Sequence, residues 1–152
     1  MENKLQFIRL FLIAIAVLSA NVVASQSATD QVRFSNGWVK MPMPGMHMTA
    51  AFVDIENLIN SDLRLIAVRT SFSAMSELHE MVMVNNVMQM RHASDGWTIA
   101  PGATLSLAPG GKHAMLMGLK SLLQNQSATW LEFNIEGMGW ISVPAVVKTS
   151  MP

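Results

Sequence analysis

Cysteine is absent from the chain, and that absence removes whole classes of function. A blue-copper electron carrier needs a thiolate ligand, a thiol–disulfide oxidoreductase needs a redox cysteine, and Cys-ligated zinc or iron–sulfur centres need several. Disulfides are excluded as well, so any folded domain must be held by its core. Charge is also scarce: Asp, Glu, Lys and Arg make up 13% of the residues and sum to zero. No basic stripe or charge run is present to neutralise phosphates or dock on anionic lipid, so nucleic acid is not an expected partner. A Gly-x-Ser-x-Gly elbow and a Gly-rich phosphate loop are missing too, and without a cysteine nucleophile the chain is not expected to be an enzyme.

Long apolar runs are limited to one. Basic Lys4 and Arg9 precede the run Leu10 to Leu18, and Val22-Val23-Ala24 makes a small-residue exit, the pattern of an export signal cleaved after Ala24. The run is too short for an ordinary membrane span, so the mature product is expected to be exported, to the periplasm or a similar space, without stable membrane insertion. Uncleaved, the same segment would instead anchor the protein. Residues 1–24 are therefore read as signal peptide and residues 25–152 as a single domain. Removing Lys4, Arg9 and Glu2 from ten basic and ten acidic side chains leaves eight and nine, a net charge near −1. The expected mature terminus, Ser25, disfavours an oxygenase built on an amino-terminal His.

What remains reads as an all-β domain. Short runs of period-two or β-branched character are broken by Gly, Pro and Asn. Expected strands are residues 32–40, 50–57, 63–71, 77–84, 87–92, 104–108, 112–119, 129–135 and 140–147, with a helical turn only at Leu119–Gln124. About eight or nine short antiparallel strands at this spacing suggest a Greek-key β-sandwich or flattened barrel.

Methionine is abundant, at fourteen residues, and four positions combine it with histidine. His79 and Met90 lie in LHEMVMVNNVMQM, and His113 and Met115 in GKHAMLM. Thioether sulfur is soft and uncharged, so its pairing with imidazole favours Cu(I) over zinc, magnesium or calcium. Asn85-Asn86 between Val84 and Val87 fits a two-residue hairpin turn. That register sets Met83 opposite Met88, Met81 opposite Met90 and His79 opposite His92, all on one face. His79 and Met90 become diagonal neighbours, roughly 7–8 Å apart at the backbone. His113 and Met115, two residues apart on one strand, also share a face, and Pro109-Gly110-Gly111 is expected to reverse the chain just before them. Glu77 and Glu80 flank His79 and are read as facing solvent or orienting an imidazole.

Other His and Met residues carry two readings. His92 is an accessory group opposite His79, or a solvated loop residue. The tract Met41–Met48 holds Met43, Met46, His47 and Met48 in a loop broken by Pro42 and Pro44; it packs as a turn on the sandwich edge, or it covers or captures an ion. Met81 is a further accessory donor. Met75, Met117 and Met138 are read as gap-filling packing residues.

The spacing His, ten residues, Met, then His-x-Met resembles the PCuAC family of periplasmic copper chaperones. His79 and Met90 fit its first half, and His113 with Met115 its second, embedded in APGATLSLAPGGKHAMLMGLK. The middle gap holds 22 residues, Arg91 to Lys112, against about twenty-one in the family, and the extra one is assigned to the loop His92–Gly96. The resemblance, from about Gly37 to Val147, implies a cupredoxin-like sandwich carrying one Cu(I) near its surface. It further implies delivery to the copper-bearing subunit of cytochrome c oxidase, with a Sco-type thiol protein as companion. A periplasmic copper-sequestering buffer, and a structural β-sandwich without metal, are the alternatives.

Overall fold

The computed structural model describes residues 31–149; the signal segment and its cleavage point lie outside them. Ten strands follow in order: β1 (Val32–Lys40), β2 (Met48–Asn57), β3 (Leu63–Arg69), β4 (Ser73–Val84), β5 (Val87–His92), β6 (Trp97–Ile99), β7 (Thr104–Leu107), β8 (His113–Leu119), β9 (Ala128–Ile135) and β10 (Gly139–Lys148). Their sheet order is β5-β4-β8-β2-β1-β10-β9-β3-β6, with β7 also on β2. The domain is all-β, as expected, and cupredoxin-like in its fold. The structure differs from the expectation at residues 108–112, described below, and at three other points. A short strand, β6, follows Gly96; residues 119–124 form no helical turn among the described residues; and β1 pairs β10 in parallel rather than antiparallel.

The sheet curls until its ends enclose one core. Leu78 on β4 and Val68 on β3 belong to a single buried cluster, although their strands stand far apart in the sheet order. Period-two alternation builds this core: Ala51, Val53 and Ile55 of β2 and Leu131, Phe133 and Ile135 of β9 all point inward and are almost wholly buried. Each such large side chain contributes about 1.5–3 kcal/mol by leaving water. At the far end of β2, the buried Asn57 side chain bonds Ser61 O, Ile99 O and Ile59 N–H, so its polar atoms are satisfied inside the fold.

One interruption positions the rest. Strands β7 and β8 both pair antiparallel with β2, β7 along Val53–Glu56 and β8 along Met48–Ala51. They therefore run in the same direction, and the Pro109-Gly110-Gly111 segment does not reverse the chain as the sequence suggested. Residues 108–112 loop out of what is otherwise one long strand. The loop closes on itself, with Ala108 N–H donating to Lys112 O and Gly111 N–H to Ala108 O. Phe52 sits at the break without a partner on that side, packed against Trp38 with ring centroids 4.5 Å apart and the planes tilted by 32°. A β-bulge in β1 between Ser35 and Trp38 brings Trp38 opposite Phe52.

Candidate metal site

Strands β4 and β5 form the hairpin read from the sequence. Asn85 and Asn86 take φ of 52° and 62°, the left-handed pair that a type I′ turn needs and that asparagine tolerates. The pairs are His79–His92, Met81–Met90, Met83–Met88 and Val84–Val87. Ala93 N–H donates to Leu78 O, so the hydrogen-bonded pairs are the even residues of β4. His79–His92, Met81–Met90 and Met83–Met88 are thus the non-hydrogen-bonded kind, in which opposed side chains stand closest. Leu78 points to the core, which leaves these odd residues on the outer face.

On the other side of β4, His79 pairs with His113 and Glu77 with Met115. Three imidazoles consequently lie in a row across three strands, His79 in the middle, with ring centroids 5.4 Å from His92 and 6.0 Å from His113. Two rings that share one ion at roughly 2.0–2.1 Å per bond hold their centroids at most about 6 Å apart, so His79 and His113 are at bridging distance.

The ring nitrogens are sorted by their hydrogen bonds. Nδ1–H of His113 donates to Gly111 O at 3.0 Å, which leaves Nε2 its lone pair. Nε2 of His79 lies 2.8 Å from Glu77 Oε2; a carboxylate only accepts, so this nitrogen carries the proton. His79 Nδ1 is then a buried lone pair with no hydrogen-bond partner. Leaving such a group unmatched costs about 1–3 kcal/mol, and a bound cation would satisfy it. The His79 hydrogen bond, reinforced by the nearby His92 and His79 rings, holds the Glu77 carboxyl below the usual carboxylate range against partial desolvation. Gly111 O also accepts the Met81 N–H, at 3.3 Å, so one carbonyl ties the loop both to the hairpin and to the His113 ring.

Met90, Met81 and His113 line one outer cavity of about 490 Å³ with Trp38, Phe52 and Pro109. Half-buried Met115 continues the row from His113 and abuts Glu77 and Ala50. The four residues singled out from the sequence therefore share one face and three adjacent strands. Among the described residues no group of three or more His, Cys, Asp or Glu converges as a metal cage. His92 is exposed beside His79.

Met43, Met46 and His47 are not brought to this site, whereas Met48 is the diagonal neighbour of Met115. His47 O accepts from Leu119 N–H, at the end of β8 opposite to His113, about 20 Å along the strand. Met43 and Met46 are exposed and, with His47, line a separate groove against residues 119–125. Met48 faces outward opposite Met117. Met75 and Met117, read as packing residues, pair across β4 and β8 on the same outer face, with Met75 54% exposed. The Trp38–Phe52 wall and the loop that covers it carry no signal in the sequence, because they depend on the break between β7 and β8.

Fold and site together define a cupredoxin-like β domain with imidazole and thioether donors gathered on one sheet face. Residues 32–147 match the family model described as "Putative lipoprotein LpqE-like", and the chain belongs to this LpqE-like family. It is 36% identical over 129 residues, 84% of this chain and 76% of the relative, to "Putative lipoprotein Lxx21020" of Leifsonia xyli subsp. xyli (strain CTCB07). Among solved structures it resembles the copper-bound PCuAC domain from PmoF2, with a TM-score of 0.65 and 18% identity over 79% of this chain and 94% of that one. It also resembles the solution structure of CuI-DR1885 from Deinococcus radiodurans, with a TM-score of 0.62 and 23% identity over 84% and 87%.

Proposed function

We propose that this protein binds a single Cu(I) ion through His79, His113, Met90 and Met115 and carries it as an exported copper chaperone. The observation that carries this reading is the unpartnered, buried Nδ1 of His79, one ring away from His113 and on the same face as both thioethers. Neutral imidazole and thioether donors suit a soft monovalent ion. Glu77 behind one imidazole and Gly111 O behind the other fix their tautomers, as partners of metal-bound histidines do. The PCuAC-fold neighbours whose names record copper support the same reading. Because the ligands are neutral and Met90 is exposed, an incoming donor can enter at Met90 and replace them one at a time. The acceptor we propose is the copper-bearing subunit of cytochrome c oxidase, with a Sco-type thiol protein as companion. Export is supported by the amino-terminal pattern and by the lipoprotein name of the relative.

The test is Cu(I) titration against a competing chelator for the wild type and a His113→Ala, Met115→Ala double variant. The variant should bind more than about 100-fold more weakly; equal binding by both would remove the reading. Delivery is checked by mixing copper-loaded protein with an apo oxidase copper domain and following the acceptor's spectrum. Metal that stays on this chain would leave it a storage protein.

A further inference from the structure

The hairpin carries more soft donors than one ion needs. Beyond the Met81–Met90 pair, Met83 and Met88 form a second opposed pair on the same face. Met83 is 62% exposed, Met88 46% and Met90 49%. Packing does not account for them: β4 pairs with β8 only as far as His79–His113, so the hairpin projects past its neighbour, and every residue of β5 is exposed. Gap-filling is the ordinary use of methionine, and there is no gap here to fill. An exposed apolar side chain gains nothing from burial, whereas its thioether remains a ligand.

The spacing suits that use. Directly opposed, non-hydrogen-bonded residues hold their Cβ atoms about 4.5–5.5 Å apart. Two sulfurs that share one ion at roughly 2.3 Å each lie at most about 4.6 Å from one another. A Met–Met rung of this hairpin can therefore clasp a soft cation between its tips, and no carboxylate or imidazole lies on the rung to attract a harder one. Successive rungs on the face are about 7 Å apart: Met83–Met88 at the tip, Met81–Met90 next, then His79.

We propose that Met83 and Met88 form a second soft-metal site, for Cu(I) or another monovalent d10 ion, at the tip of the β4–β5 hairpin. Its use as an entry rung, from which an ion passes by Met81 and Met90 to His79 and His113, rests on the copper reading above; the site itself does not. No bond beyond ligand exchange is made or broken along this path, and no electron moves.

The probe is Ag(I), titrated to three equivalents into the mature protein labelled at its methionine methyl groups, with resonances assigned by single Met→Leu variants. Two equivalents should bind, and the Met83 and Met88 methyl signals should shift as the tip fills. A Met83→Leu, Met88→Leu variant, which keeps the apolar bulk but removes the donor, should bind one equivalent with an unchanged unfolding midpoint. Signals of Met83 and Met88 that stay fixed throughout, or a second equivalent retained by the double variant, would overturn the site. A His79→Ala, His113→Ala variant separates the two ideas: tip shifts that persist there uphold the tip site even if the main site's assignment fails, and tip shifts lost there overturn it.

Discussion

At the scale of single residues, the site depends on which nitrogen of each imidazole is free. Glu77 decides this for His79 through one 2.8 Å contact. Glu77→Ala should weaken Cu(I) binding by roughly 10–100-fold, the range seen when partners of metal-bound histidines are removed, and a chelator competition measures it. Glu77→Gln should fall between, because its amide oxygen still accepts from Nε2. Oxidation of Met90 or Met115 to the sulfoxide should likewise lower affinity, since the soft donor becomes polar. The placement of His79, Met90, His113 and Met115 on one face was legible in the sequence, because period-two spacing and one turn suffice to give it. Their tautomers were not, since these depend on the Glu77 side chain and on Gly111 O, a backbone atom without a sequence signature.

At the scale of elements, the hairpin's turn sets the pairing of every donor on β4 and β5. A slip of one residue would send one strand's methionines and histidine to the opposite face. Asn85 and Asn86 both hold positive φ, which for a β-branched residue costs about 1–2 kcal/mol each. Asn85→Val with Asn86→Val should therefore lower stability by about 2–4 kcal/mol in a denaturant titration and also weaken metal binding, whereas Asn86→Gly should leave both intact. Nine strands and this turn could be read from alternation and breakers, the largest shift being the start of β4 at Ser73 rather than residue 77. The three-residue β6 could not, because Trp97–Ile99 is too short to show a period. Its existence depends on β3, which it pairs through Leu63–Ile99 and Leu65–Trp97.

At the scale of the whole molecule, a core without disulfides carries the stability. Phe133 is fully buried and stacks on Phe34 at 5.7 Å; Phe133→Ala should cost about 3–5 kcal/mol, visible as a large fall in the unfolding midpoint. On the surface, Arg69 grips both carboxylate oxygens of Glu132, at 2.8 and 3.1 Å, and lies over Trp140 at 4.1 Å. The Arg69 bond holds the Glu132 carboxyl below its ordinary range. Since the folded value is depressed, the pair's stabilisation is fully present above the ordinary glutamate range and is lost as pH falls through the lowered value. Glu132→Gln should lower stability slightly at neutral pH and converge with the wild type in acid, flattening that limb of the stability profile, a comparison that denaturation at stepped pH makes directly. The overall topology was the least legible level. The parallel β1–β10 pair and the shared use of β2 by β7 and β8 join distant parts of the chain, and nothing local in either strand encodes such a partner.

That shared use has an engineering consequence. Strands β7 and β8 each find their own place on β2, so the number of residues between them is not constrained by either. The span Ala108–Gly110, where a Cβ added at Gly110 would meet open space, can be exchanged while both flanking strands keep their positions, provided Gly111 keeps the carbonyl that orients the His113 ring. Access to the donor face and the identity of the donors are thus separately adjustable quantities, and a library varied only at this excursion would sample different release rates on one constant set of ligands.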